Sequence, residues 1–461
     1  MEYVVGVLLL LSFFGLAFYC IKGHNLMIGF LMITVLWTVL SLGGAALASD
    51  SFIAANKVLQ WEGSKGLFAI LNKIFQSAPE GWGTTLVNVC WGAWFGRVLM
   101  ETGIASTLIR KTVELGGDKP IVTVALLNIV TALIFTAMTG AGPVIAIGVI
   151  VLPILMSLGI PKAIAMFSFM GSVAAGIYLN PVNFAQYRAF FIKPEEMPDF
   201  TLGWYASHFG YVALGIMLVA TTVLAAIFIK KSKTSRAWAA QTRGTAEQKN
   251  APLYTLILPI VPVVLKIWLD FSVIGGFVIA GFLALVLCGK FKGSFKENCQ
   301  LVNKLYYDGV VDTAPLVGFL LTLPMFNQVA SYASPFFKVI LGSVMPTSEI
   351  VVCIAFAVLL CMGLFRGPMT LVGCGAATLG VLQNVAHFSV PFLYAVFAIP
   401  TITVNIGCCI TQSWVAWGLA YTKVESKDFL KLSIPNAYVT GVLQYVAAFI
   451  MLGGLGAAWF L

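Results

Sequence analysis

Apolar runs long enough to cross a bilayer fill this sequence from its first residues. Residues 3–21 and 26–48 carry no charged side chain and are separated only by KGHN. A helix needs about 20 apolar residues to traverse the hydrocarbon core, and lipid offers no partner to an unpaired backbone group. A chain written this way folds as an all-α, polytopic membrane protein. Further runs at 207–229, 251–268, 271–289 and 433–455 read as spans, with two crowded regions, 83–185 and 308–421, between them. Composition agrees, with 60% hydrophobic and 10% charged residues against about 25% charged in a soluble domain. The second run follows so closely that the first is expected to stay as a span rather than be cleaved as a signal peptide.

Lysine and arginine set the orientation. The most polar stretch, 230–249, has six basic residues (Lys230, Lys231, Lys233, Arg236, Arg243, Lys249) against Glu247, which predicts a cytoplasmic loop. KPEEMPD, 193–199, then falls outside, as do both termini, and a bacterial cytoplasmic membrane is the expected location. The net charge of +9 is accounted for by such loops, and no aromatic-basic motif points to nucleic acid. The expected organisation is a first repeat at 1–229, a basic cytoplasmic linker at 230–250 and a second repeat at 251–461. The halves start on opposite sides of the membrane, the inverted-repeat plan of secondary transporters.

A second signal supports this division. GPVIAIG at 142–148 returns as GPMTLVG at 367–373, and Asn180 falls on Asn405 at the same offset (405 − 180 = 225). Proline removes a helix hydrogen bond and clashes with the preceding turn. Each Gly-Pro element is therefore expected to break a helix near the midplane or to form the tip of a re-entrant hairpin. Such backbone is tolerated in a membrane only against protein or a wet cavity. A half-helix starting after each proline would aim its positive end at the break, which suits an anion.

The candidate substrate-binding residues gather around these elements. They are Thr139, Gly140, Gly142, Pro143, Asn180 and Asn183 in the first half, and Arg366, Gly367, Pro368, Thr370, Asn405, Thr411, Gln412 and Ser413 in the second. A charged residue within an apolar segment is expensive and normally faces a partner or a pathway. Arg366, beside the second break, can hold a carboxylate through two parallel hydrogen bonds. Arg97 competes for this role, although its spacing of four residues from Glu101 predicts an ion pair along one helix. Asp312 is the candidate for binding a coupling ion, with an interfacial helix start as its alternative. The nine cysteines sit mostly in apolar runs, no metal-ligand spacing occurs, and no cofactor is expected. HExxH, GxSxG and GxxxxGK[ST] are absent, which argues against an enzyme or an ATP-driven pump.

The run WGAWFGRVLMETGIASTLIRKTVELGG (91–117), with Gly96, Leu99, Glu101 and Gly103 in a G-x-x-L-x-E-x-G pattern, resembles the gluconate and citrate-type permeases of the ion-transporter superfamily. So do TALIFTAMTGAGPVIAIGVIVLPILMSLGI (131–160), FRGPMTLVGCGAATLGVL (365–382) and TQSWVAWGLAYTKVESKDFLKLSIP (411–435). The resemblance implies an organic-anion carrier with two re-entrant hairpins whose tips, 139–143 and 366–370, meet the substrate. It also implies a scaffold that forms a homodimer, and coupling to protons or sodium. The first tip departs from the Ser-Asn-Thr type, since only Thr139 supplies a side-chain ligand. The expectation is an ion-coupled symporter of a small organic anion of the carboxylate class, with a cation/proton antiporter or a membrane-embedded enzyme or structural subunit as alternatives.

Overall fold

Helix follows helix because the apolar runs are punctuated by capping side chains and prolines. The computed structural model describes residues 1–22, 24–117, 119–191, 199–232, 250–341, 346, 348–373, 375–385 and 388–453. The basic linker beyond Ser232, and 193–198 of the expected outer loop, lie outside the described residues. The first half contains α1 (Glu2–Ile21), α2 (Leu26–Ala46), α3 (Asp50–Ala55), α4 (Gly63–Asn72), α5 (Ala78–Glu80), α6 (Gly83–Glu101), α7 (Ile104–Gly116), α8 (Pro120–Phe135), α9 (Ala141–Ser157), α10 (Lys162–Ile177), α11 (Pro181–Arg188), α12 (Leu202–Tyr205) and α13 (Tyr211–Lys231). The second contains α14 (Val261–Leu269), α15 (Val273–Leu287), α16 (Phe295–Leu341), α17 (Glu349–Val358), α18 (Gly375–Val385), α19 (Val390–Ile399), α20 (Ser413–Thr422) and α21 (Ser426–Leu452). Asn25, Thr201, Ser272 and Ser389 cap α2, α12, α15 and α19 through side-chain oxygens. Pro120 and Pro181 open α8 and α11, where a missing amide hydrogen costs nothing.

Among the described residues, 27–46, 202–231 and 426–452 are helical, long and apolar enough to cross a membrane. Two bent pairs, α10 with α11 (68°) and α17 with the tight turn Leu360–Arg366 (63°), raise the number to five if each pair is one span. The fold is that of a polytopic membrane protein with broken helices. Two expected boundaries move. The polar stretch 290–307, left between the expected span 271–289 and the crowded region 308–421, enters α16 at Phe295, because its lysines and glutamate are good helix formers. The expected span 251–268 is a tight turn, Leu253–Ile257, followed by the nine-residue α14.

The 47-residue α16 is about 70 Å long at 1.5 Å per residue, and it is the rail along which the bundle assembles. α2 lies beside its later part in the same direction, with Phe30 on Phe326 (ring centroids 5.1 Å apart) and Trp37 on Phe337 (5.2 Å). α6 accompanies its earlier part, also in the same direction, from Trp91 on Tyr306 to the pairing of Arg97 with Asp312. Between these points the helices nearly touch, because a methyl group on Gly309 would lie 2.9 Å from the Ala93 and Trp94 backbone. Small residues are what let membrane helices approach this closely.

α10 runs alongside α8 in the same direction, with Ser168 donating to Asn128 (2.8 Å) and Gly176 under the Ala132 carbonyl. α9 connects them in the opposite direction, its Gly148 packed on Trp417 of α20 and Phe169 of α10. α8 and α9 are thus the two arms of a hairpin. Their 16 and 17 residues reach only about 24–26 Å, short of the roughly 30 Å hydrocarbon core.

The Gly309 crossing tests whether α16 is the rail. Gly309→Val should lower folding stability by about 1–3 kcal/mol, as overpacking does, whereas Gly15→Val, at a site with open space around it, should change it little. Thermal unfolding of both variants in detergent micelles checks this, and equal melting temperatures would remove the crossing from the fold's supports.

Candidate functional site

At the first break α8 ends at Phe135 and the backbone is unwound from Thr136 to Gly140. Gly140, with φ 97° and ψ 173°, occupies a region open in practice only to glycine. Pro143 is the third residue of α9, a first-turn position whose amide would lack a partner anyway. The proline was expected to make the break; the glycine makes it, and the proline starts the new half-helix. Thr139 is buried, and Pro143 packs against Gly96 of α6.

Asn180 closes this break. Its Oδ1 accepts from the amides of Val182 (2.9 Å) and Asn183 (3.1 Å), capping α11, while its Nδ2 donates to the carbonyls of Phe135 (3.0 Å) and Met138 (3.1 Å). One buried side chain therefore joins the bend between α10 and α11 to the carbonyls that α8 releases. Asn183 donates to the Tyr187 hydroxyl at 3.3 Å.

Asp312 meets the same break from the other side. It lies within α16, not at a helix start. Arg97 Nε donates to its Oδ2 at 2.7 Å and Nη2 to its Oδ1 at 2.6 Å. The Arg97–Glu101 pair expected from spacing does not form, since Glu101 faces Lys290 at 3.4 Å. The Asp312 carboxylate lies over Gly142, so close that a side chain at 142 would overlap its Oδ2. Asp312 thus joins Thr139, Gly140, Gly142, Pro143 and Asn180 in one group. This pairing of residues 215 apart was missed. The signal was there in two opposite charges inside apolar segments, each needing a partner.

The second break is longer. Leu364 is extended, and Phe365 (φ 54°) and Arg366 (φ 58°) are both left-handed, a conformation costly for residues other than glycine. Gly367 follows in extended conformation and Pro368 in a turn, and α18 begins only at Gly375, seven residues beyond the proline rather than directly after it. The loop is tied down by Thr370 Oγ1 donating to the Gly363 carbonyl (2.7 Å) and by the Leu371 amide donating to Thr401 Oγ1 (2.9 Å). The Phe365 amide donates to Cys409 Sγ at 3.1 Å. Thr401 belongs to a widened, π-helical stretch, Pro400–Ile406, a form frequent at functional sites. Arg366 is half-buried at the centre of the loop. Thr411 contacts Cys409 Sγ (3.0 Å), Gln412 is buried before α20, and Ser413, its first residue, is exposed.

The two asparagines 225 residues apart differ (405 − 180 = 225). Asn405, in the π-helical stretch, is fully buried, and neither its Oδ1 nor its Nδ2 has a hydrogen-bond partner among the described residues. At the same offset from Met138 stands Gly363 (363 − 138 = 225), whose carbonyl accepts from Thr370. The first break is closed by an asparagine side chain and the second by a threonine, and the Asn405 amide has no such bond. Leaving such an amide unsatisfied costs about 1–3 kcal/mol. No group of three His, Cys, Asp or Glu side chains able to hold a metal occurs among the described residues.

This contrast has a measurable consequence for stability. Asn180→Ala removes a cap and strands two buried carbonyls, and should lower stability by about 2–4 kcal/mol. Asn405→Leu, similar in volume, should be neutral or stabilising by about 1 kcal/mol. Thermal unfolding in micelles followed by tryptophan fluorescence distinguishes them, and a marked loss in Asn405→Leu would mean that the amide is structurally engaged.

No protein-family model matches the chain, and no curated protein matches it in sequence. Its three-dimensional structure is similar to that of the YdaH transporter of Alcanivorax borkumensis, described as having an unusual topology, with a TM-score of 0.63 at 15% sequence identity over 95% of this chain and 99% of that one. The chain thus has the fold of a transporter structure.

Proposed function

We propose that the protein is a secondary active transporter that moves a small carboxylate by alternating access, driven by a proton or sodium gradient. The observation that carries this reading is the buried, unpartnered amide of Asn405 at the second break. A polar group kept at such a cost has a use, and ligand binding at an interrupted helix is the use transporters make of one. Arg366 stands at the same break with a guanidinium fork suited to a carboxylate. The likeness of 91–117 and 365–382 to the gluconate and citrate-type permeases, and the homodimer it implies, belong to the same proposal.

The halves 1–229 and 251–461, on either side of the 230–250 linker, are proposed to be inverted repeats. Two antiparallel crossings support this. The Tyr178 and Thr403 hydroxyls, on residues 225 apart, are 2.8 Å from each other, and Ala174 packs near Gly407, so the two segments run antiparallel through this contact. The bonds from Gln444 to the Ala213 carbonyl (2.9 Å) and from Asn436 to Thr221 (3.1 Å) lie three residues to one side and five to the other of 216 and 441, again 225 apart. A two-fold axis between halves brings equivalent positions together in this way. The parallel pairing of α6 with α16 lies outside that relation.

Cation/proton antiport is the second reading, favoured by the presence of an acid, Asp312, at the first break. A carboxylate already neutralised by a bidentate guanidinium is a poor cation ligand, which ranks this reading lower.

Uptake into proteoliposomes, with a panel of carboxylates under imposed pH and sodium gradients, tests the proposal. Saturable uptake should appear for at least one carboxylate. Arg366→Lys should raise the half-saturation concentration about tenfold, from loss of a charged hydrogen bond of roughly 1.5–3 kcal/mol, and Asn405→Leu should abolish saturable uptake while remaining folded. Absence of uptake for every carboxylate, or unchanged half-saturation in both variants, overturns the reading. The orientation has its own test: on a cysteine-depleted background, Thr245→Cys should react with impermeant maleimide only in opened vesicles, and Glu195→Cys in whole cells. The reverse pattern would refute the inverted arrangement.

A further inference from the structure

We propose that Asp312, held by Arg97, is a latch that fixes the first hairpin to the α6–α16 scaffold, and that the space it fills is a carboxylate pocket occupied by the chain's own side chain. The inference is independent of which substrate, if any, the second break receives.

Three observations converge on it. Both oxygens of Asp312 are engaged by Arg97, at 2.6 and 2.7 Å, the two-pronged geometry in which guanidinium recognises carboxylate. Both of these side chains belong to the scaffold, whereas the third wall, Gly142, is in the first turn of α9 in the hairpin. A methyl group at 142 would overlap Asp312 Oδ2 and lie 2.7 Å from Cγ, so glycine there is a requirement of the docked carboxylate. Close to this contact α6 and α16 are locked backbone to backbone at Gly309, so the pair rests on a rigid base. The first turn of a helix attracts negative charge, which makes the α9 start a favourable surface for the docked group.

The pair is also reachable. Side-chain exposures of 28% for Arg97 and 17% for Asp312 leave an approach for a molecule as small as formate. An aspartate truncated to alanine loses its carboxyl group and leaves a guanidinium and a helix start facing a gap of that size. Formate supplies the missing group without the tether.

The experiment is chemical rescue of folding stability on the full chain in detergent micelles, which needs no transport assay. Asp312→Ala should melt several degrees below the wild type, roughly 3–8 °C for one lost latch. Sodium formate should restore most of this loss saturably, while sodium chloride at equal ionic strength should not. The double variant Arg97→Gln/Asp312→Ala should show no formate-specific gain. A second measurement uses the glycine. Gly142→Ala should lower the melting temperature in the wild-type background and by less than half as much in the Asp312→Ala background, where the obstructing oxygen is gone. Asp312→Ser replaces the alanine variant in both arms if that variant does not fold. Chloride acting as well as formate, equal rescue without Arg97, or an equal Gly142→Ala penalty in both backgrounds would each overturn the latch.

Discussion

A helix interrupted inside a membrane must find partners for the backbone groups it releases, because lipid supplies none. The two Gly-Pro interruptions meet that demand in different ways. At the first, a single asparagine does most of the work. Asn180 spends both sides of its amide on backbone, two amides of the helix it caps and two carbonyls of the helix that has just ended. The tip of the α8–α9 hairpin is thereby joined to the bend between α10 and α11, so two broken elements share one hinge point.

The second interruption meets the same demand differently. Thr370 folds the loop back on itself and Thr401 receives its amide, so the loop can run longer and carry two left-handed residues in succession. This dispersed solution frees Asn405 from the structural role of its counterpart. Charge is divided in the same unequal way. The first break is faced by a carboxylate whose charge is matched by Arg97, and the second carries an arginine half-buried in its loop.

Much of this was legible in the residues. The Gly-Pro elements marked both interruptions, and the offset they define leads directly from Asn180 to Asn405. The exact site of each interruption was less visible. Proline is the conspicuous residue, but backbone conformation decides the matter, and Gly140 rather than Pro143 adopts the angles that other residues avoid. α16 was hidden because Lys296, Glu297 and Lys304 look like loop residues by polarity, although each favours a helix by propensity. The Arg97–Asp312 pair could not be read from spacing, since the rule linking residues four apart on one helix says nothing about partners on different helices. Glu101 was the nearer acid in sequence, yet three-dimensional packing assigned it to Lys290.

The contact of Tyr178 with Thr403 has a consequence for how such a chain can arise. If the halves descend from one duplicated segment, a residue on the axis begins its history facing an identical copy of itself. Two tyrosines brought together there would compete for the same volume and for the same acceptor, since the Tyr178 and Thr403 hydroxyls both reach Gln444. A large residue against a small one resolves the conflict. Divergence at the axis is then an early requirement of packing, imposed before any specialisation of the two tips, and it gives the halves their first lasting difference.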